Sequence, residues 1–301
     1  MLIKAYVKAA RLRTLPLALA AVALGGILAA HFGQHNWSIT VLAALTAILL
    51  QILSNFANDY GDFRSGVDAN RTDRALGGGD LTLQQMKTAL VIITTLSTIC
   101  GVSLIVISFK ELSVLSVLYF IIGLLAIAAA FKYTAGKNPY GYRGLGDLAV
   151  LIFFGLVPVT GLYYMHNPVV DYAFYHSLLP AAAFGLLSAG VLNINNIRDI
   201  DSDLAMNKRT LATYLGANRA LWYQLVLLVL AYGLMMWFIR SSSAEVGFTM
   251  WLVLPVHLLQ WIALRNAVRS AAERSVFNKL LKFLVLTNLV FVIVFGILLL
   301  A

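Results

Sequence analysis

Charge is scarce in this chain, and so is cysteine. Of 301 residues only 12% are charged and 60% are hydrophobic, and the mean hydropathy is +0.84. That composition excludes an ordinary water-soluble domain and indicates an integral membrane protein. The single cysteine, Cys100, excludes an internal disulfide. The histidines (His31, His35, His166, His176, His257) are scattered, so no zinc site is credible. Neither GxGxxG nor GxxxxGK[ST] occurs, and Gly77 to Gly79 read as a flexible loop end, followed by a capping box at Thr82 and Gln85.

What the chain has in quantity is apolar runs near the ~20 residues needed to cross a bilayer. They predict about nine transmembrane helices, at 14–32, 37–58, 84–109, 112–131, 147–165, 174–195, 220–239, 247–264 and 280–300. Helices are required because the backbone in lipid must satisfy its own hydrogen bonds. With the N-terminus cytoplasmic, 20 of the 22 lysines and arginines fall in inside segments, and only Lys110 and Arg240 fall outside. The net charge of +9 then reflects topology and attraction to anionic membrane lipid, and is not read as nucleic-acid binding. Residues 1–13 form an amphipathic segment suited to the interface, with Leu2, Ile3, Tyr6, Val7 and Ala10 opposite Lys4, Lys8 and Arg11. Pro158 and Pro255 lie inside spans and predict kinks. The expected architecture is one all-α membrane bundle, a single domain over 1–301, enclosing a central cavity.

Two acidic clusters interrupt this apolar pattern. Asn55 to Asp80 holds five of the thirteen acidic residues, directly after an apolar run. Carboxylates this close repel one another unless cations share them. Arg64, Arg71 and Arg74 supply part of that charge, and a divalent metal is the natural remainder. On a helix Asn55, Asp59 and Asp62 share one face, and hard oxygen ligands of this kind suit Mg²⁺. The second cluster, Asn193 to Arg209, repeats the arrangement with Asn195, Asp199 and Asp203 at i, i+4 and i+8. Two such helix ends, both cytoplasmic, can clamp one diphosphate. The alternative for either cluster alone is a solvated charged loop. Between them in sequence, the loop from Phe131 interleaves Lys132, Lys137 and Arg143 with Tyr133, Tyr140 and Tyr142, which alone reads as positive-inside bias with an interfacial aromatic belt and beside the two clusters suits a diphosphate and an aromatic co-substrate. Lys208 and Arg209 fit the same task, and Asp147 reads as an N-cap.

NDYGDFRSGVD from Asn58 resembles the first aspartate-rich motif of the UbiA superfamily of intramembrane aromatic prenyltransferases, and NNIRDIDSD from Asn195 resembles the second. RLRTLP from Arg11, YTAGKNPYGYRGLGDL from Tyr133 and NNIRDIDSDLAMNKRTLA from Asn195 resemble the branch acting on 1,4-dihydroxy-2-naphthoate in menaquinone synthesis. One departure is Gly66, where the general pattern has a third acid; the nearest acid is Asp68.

The resemblance implies Mg²⁺ held by Asp59, Asp62, Asp68, Asp199 and Asp203, with Asp59, Asp62, Asp199 and Asp203 carrying the catalysis. It implies a polyprenyl diphosphate ionised there, the allyl cation captured by the naphthoate ring, and carbon dioxide lost, in a bacterial inner membrane. Asn55, Asn58 and Asn195 would ligate or orient. Arg64, Lys132, Arg143, Arg198, Lys208 and Arg209 would bind substrate, with Tyr133 and Tyr142 beside them. Arg143 is the expected partner of the acceptor carboxylate. The rival readings are a 4-hydroxybenzoate prenyltransferase of the same superfamily and a cation-coupled transporter. A transporter places its acids at the bilayer midplane on broken helices, whereas these lie at helix ends.

Overall fold

The computed structural model describes residues 2–66, 71–72, 74–242 and 250–301, and the described residues are helical apart from short turns. Helix α1 (Leu2–Ala10) leads through a short turn into α2 (Leu15–His31), followed by α3 (Trp37–Arg64), α4 (Leu83–Phe109) and α5 (Val114–Lys132). Next come α6 (Gly146–His166), α7 (Tyr172–Arg198), and two short helices, α8 (Ile200–Ala205) and α9 (Leu211–Leu215). Helices α10 (Ala217–Ser241), α11 (Met250–Arg269) and α12 (Arg274–Leu300) complete the bundle. Among the described residues eight helices are long and apolar enough to cross a membrane, one of them running from Leu2 to His31. The ninth expected span corresponds to α11, which is not among those eight and carries His257 and Gln260 in its interior. Both find partners: His257 lies 3.0 Å from Tyr232 Oη and 3.0 Å from Asn288 Oδ1, and Gln260 donates to Thr287 at 2.6 Å.

The bundle closes because small residues let backbones touch. A Cβ on Gly155 of α6 would lie 2.5 Å from the Ala181 carbonyl oxygen of α7, and one on Gly25 of α2 would lie 2.8 Å from that of Val159. In lipid, where no hydrophobic force drives helices together, such close approach is what makes packing favourable. Helix α7 sits between α6 and α10, α3 packs along α4, and α2 joins the halves by touching both α3 and α12. Leu24, Leu28, Tyr163, Phe184, Phe238 and Val292 fill the interior. A cavity lined by Gly190, Gln224, His257 and Gln260 remains between α7, α10, α11 and α12. Val91, Ile99, Val106 and Leu125 are exposed, as lipid-facing positions must be.

Three local features follow. The chain around Pro158 widens to i→i+5 bonding over Leu151–Gly161, accommodating a residue that has no N–H to donate, whereas α11 runs unbroken through Pro255. Helix α1 buries Ala5, Ala9 and Ala10 against the protein and leaves Leu2, Ile3 and Val7 outward, so it docks on the bundle as well as meeting lipid. Gly77 to Gly79 belong to a compact turn, closed by Gly78 N–H to Arg74 at 2.9 Å and Leu81 N–H to Ala75 at 3.1 Å. The capping box at Thr82 and Gln85 forms as expected.

Candidate active site

Helix α3 continues past its apolar run through the first acidic motif, so Asn55, Asp59 and Asp62 lie on one buried face at the helix end. Helix α7 stops at Arg198 instead. Asp199 ends α7 and begins α8, so the second cluster is a helix break and not the continuous face its spacing suggested. An i+4 bond from Asp203 N–H to the Asp199 carbonyl at 2.8 Å keeps the two acids in register across the break.

The loop after α5 brings the clusters together. Tyr142 donates to Asp62 Oδ1 at 2.7 Å, its carbonyl accepts from Arg209 N–H at 3.2 Å, and Lys208 Nζ lies 5.4 Å from its ring centroid. One residue therefore holds a carboxylate of the first cluster and the cations of the second. Tyr133 belongs to the same loop, and its carbonyl accepts from Gly141 N–H at 3.1 Å. Burial raises its phenol, as do the charges of Asp147, Asp62 and Asp203.

Each acid has its own electrostatic setting. Asp59 accepts from Arg11 and from Arg74, the latter at 3.4 Å. Asp199 is gripped by Arg198 through both carboxylate oxygens, at 2.9 and 2.6 Å, and by Arg274 of α12 at 2.5 Å. Burial would raise Asp199, but these guanidiniums hold it below the ordinary carboxylate value. Asp203 is pushed up to about 6 by burial, with Lys208 opposing and Asp199 and Asp62 adding to the shift. An acid so placed favours any cation that joins it.

Several expected residues have other tasks. Asn55 donates to the Ala10 carbonyl at 2.9 Å and to Thr14 at 3.0 Å, and so ties α3 to the N-terminal segment. Asn195 accepts from Arg198 at 2.6 Å and orients it, while Asn278 holds the other end of that guanidinium at 2.6 Å. Arg64 turns away from the acids to the Tyr60 hydroxyl at 3.5 Å. Lys132, Arg143 and Arg209 are exposed, and the backbones of Arg143 and Arg209 are paired. Asp68 lies outside the described residues. Asp147 is no N-cap: Leu145 takes that position, and the Asp147 carboxylate accepts from Tyr223 at 3.2 Å. Sequence reasoning left Arg11, Arg74 and Arg274 out of the site. Arg74 stood near the first motif, but Arg11 and Arg274 lie at opposite ends of the chain.

Among the described residues no three acidic, histidine or cysteine side chains converge on one point. A Mg²⁺ site needs no such cage, because one or two carboxylates with substrate phosphates and waters suffice. Within the two motifs, Asn58 Oδ1 and Asp203 Oδ2 are among the buried oxygens of the described residues that have no hydrogen-bond partner. Buried polar atoms are rarely left so, and both are hard donors, which fits such an ion.

The fold and site define a polytopic helical membrane protein with two facing acidic clusters at one end of the bundle. Residues 18–286 match the UbiA prenyltransferase family, and the chain belongs to that family. It is 39% identical over 294 residues to 1,4-dihydroxy-2-naphthoate octaprenyltransferase of Escherichia coli, covering 96% of this chain and 94% of that one. It is 44% identical over 234 residues to the enzyme of the same name from Haemophilus influenzae, covering 76% and 75% of the two chains. Its fold is similar to a UbiA homologue from Archaeoglobus fulgidus bound to GPP and Mg²⁺, with a TM-score of 0.63, 16% identity, and 98% and 99% of the chains covered.

Proposed function

We propose that the protein transfers a polyprenyl group from polyprenyl diphosphate to 1,4-dihydroxy-2-naphthoate with loss of carbon dioxide, giving demethylmenaquinone. The observation that carries this reading is Tyr142, which joins the two acidic clusters into one site lined by cations and phenols. The names of the relatives at 39% and 44% identity support the naphthoate as acceptor. Asp62 and Asp203, with Asn58, would hold Mg²⁺, and Asp59 and Asp199 complete the acidic walls. Bound Mg²⁺ supplies Lewis-acid neutralisation of the departing diphosphate. Arg11, Arg74, Arg198, Arg274 and Lys208 add fixed positive charge where negative charge develops. Arg143 and Arg209, exposed and backbone-paired, would meet the acceptor carboxylate. The apolar bundle excludes water that would quench an allyl cation. The lysine and arginine distribution supports a cytoplasmic position for this end of the bundle, and a bacterial inner membrane is the proposed location.

Membranes containing the protein, given Mg²⁺, a polyprenyl diphosphate and each aromatic acid in turn, are expected to prenylate the naphthoate. Preference for 4-hydroxybenzoate would move the protein to the other branch, and cation flux without prenyl transfer would move it out of enzymology. Tyr142→Phe removes one charge-assisted hydrogen bond, about 1.5 kcal/mol, so kcat/KM for the prenyl diphosphate should fall about tenfold. Unchanged steady-state kinetics in that variant would mean that Tyr142 merely fills space.

A further inference from the structure

Asp147 is a carboxylate with no assigned task. It stands in the first turn of α6, and its carboxylate accepts from the Tyr223 hydroxyl at 3.2 Å. No lysine, arginine or histidine pairs with it among the described residues, whereas Asp59, Asp62, Asp199 and Asp203 are each paired or bridged. Its surroundings are aromatic. A Cβ on neighbouring Gly146 would lie 3.2 Å from Tyr133 Oη and 3.1 Å from Leu192, so the Tyr133 ring packs directly on the start of α6. The Tyr133 carbonyl in turn accepts from Gly141 N–H at 3.1 Å, and the next residue, Tyr142, donates to Asp62. Asp147 thus lies beside the tyrosine-rich loop that also holds Asp62, where an aromatic acceptor would present its hydroxyl.

We propose that Asp147 is the proton-transfer residue of the reaction, acting on the acceptor hydroxyl next to the carboxylate. This rests on the naphthoate reading above. The ring carbon bearing the carboxylate bonds to the allylic carbon, and the C–O bond to diphosphate breaks with its electron pair leaving on diphosphate. The adjacent hydroxyl releases its proton to Asp147 and becomes a ketone, which makes the intermediate a β-keto carboxylate. The bond to the carboxylate then breaks, its electrons restore the aromatic ring, and the ketone oxygen recovers the proton from Asp147 as carbon dioxide departs. The proton is borrowed and returned, so no oxidant, reductant or further base is needed. Tyr223 is a positioning residue that orients the carboxylate.

The rival explanation is that Asp147 only ties α6 to α10, and paired variants separate the two. Asparagine at 147 still accepts from the Tyr223 hydroxyl but is a far weaker base, whereas Tyr223→Phe breaks the tie and leaves the base. Asp147→Asn is expected to lower kcat about a hundredfold with the KM for prenyl diphosphate unchanged, and Tyr223→Phe to lower kcat less than about tenfold. Asp147→Asn above a third of the unmodified kcat, or Tyr223→Phe as impaired as Asp147→Asn, overturns the proposal. A second measurement needs no variant: the acceptor methylated on the hydroxyl beside its carboxylate should compete with the natural acceptor but not be prenylated. Its prenylation at an undiminished rate would overturn the proposal too. If the unmodified protein ignores the naphthoate but prenylates another aromatic acid, the naphthoate reading fails, and the two variants compared on that acid decide the role of Asp147.

Discussion

Asp59→Ala and Asp199→Ala should each lower turnover by on the order of a thousandfold, about 4 kcal/mol of transition-state stabilisation. Both carboxylates are buried, and each is gripped by two guanidiniums: Arg11 and Arg74 at Asp59, Arg198 and Arg274 at Asp199. Removing either acid takes negative charge from the metal-binding region and releases cations whose positions it fixed. Truncating one partner of a buried charge network costs more than a surface pair ever contributes. Chelation of Mg²⁺ should abolish activity in the unmodified protein, and added Mg²⁺ should restore it. The variants should stay inactive at saturating Mg²⁺ while inserting into membranes with an unchanged helical circular dichroism spectrum. Activity within tenfold of the unmodified protein in both variants, at saturating Mg²⁺, would sink the proposed role of the clusters.

The second large effect is expected at a residue with no side chain. Gly61 lies on α3 between Asp59 and Asp62, where Thr134 of the tyrosine-rich loop crosses the helix and donates to the Ala57 carbonyl at 3.3 Å. A Cβ at 61 would stand 2.4 Å from Thr134 Oγ1 and 2.9 Å from the Thr134 backbone carbon. The hydroxyl can rotate aside, but the backbone cannot. Gly61→Val therefore displaces the loop carrying Tyr133 and Tyr142 from the acidic face, and a shift near 1 Å at a reacting site costs about a hundredfold. Gly233→Val is the control, because a Cβ there meets nothing within 4 Å. Prenyl-transfer assays on both variants, normalised to protein in the membrane, test the difference. Equal activity of the two would show that the loop does not need its close seat on α3.

Much of the architecture was legible because lipid imposes a strong local rule. A segment in hydrocarbon must be apolar, helical and long enough, and eight of the expected spans meet that rule as helices. The one that departs is α11, where Tyr232 and Asn288 bond His257 and Thr287 accepts from the Gln260 amide, all from other helices. The candidate site was legible in part for a related reason. Acids beside apolar runs are costly, so Asp59, Asp62, Asp199 and Asp203 stood out against a chain with little charge. Their partners did not. Arg11 is 48 residues from Asp59 in sequence, and Arg274 is brought to Asp199 by the last helix. Local spacing gave no sign that Asn55 ties α3 to the N-terminal segment or that Arg64 reaches the Tyr60 hydroxyl, because a shared helix face says nothing about which neighbour takes the side chain.

The sequence by itself determined an all-helical membrane protein, the segments that span, and two acidic clusters at helix ends. These follow from composition and periodicity, which act over one or two turns of chain. Only the tertiary structure decided which arginine meets which acid, that Tyr142 joins the clusters, and that Asp147 faces Tyr223 instead of capping α6. Those outcomes depend on contacts between helices far apart in sequence, set by where glycines let backbones approach and by which buried polar atoms still lacked a partner.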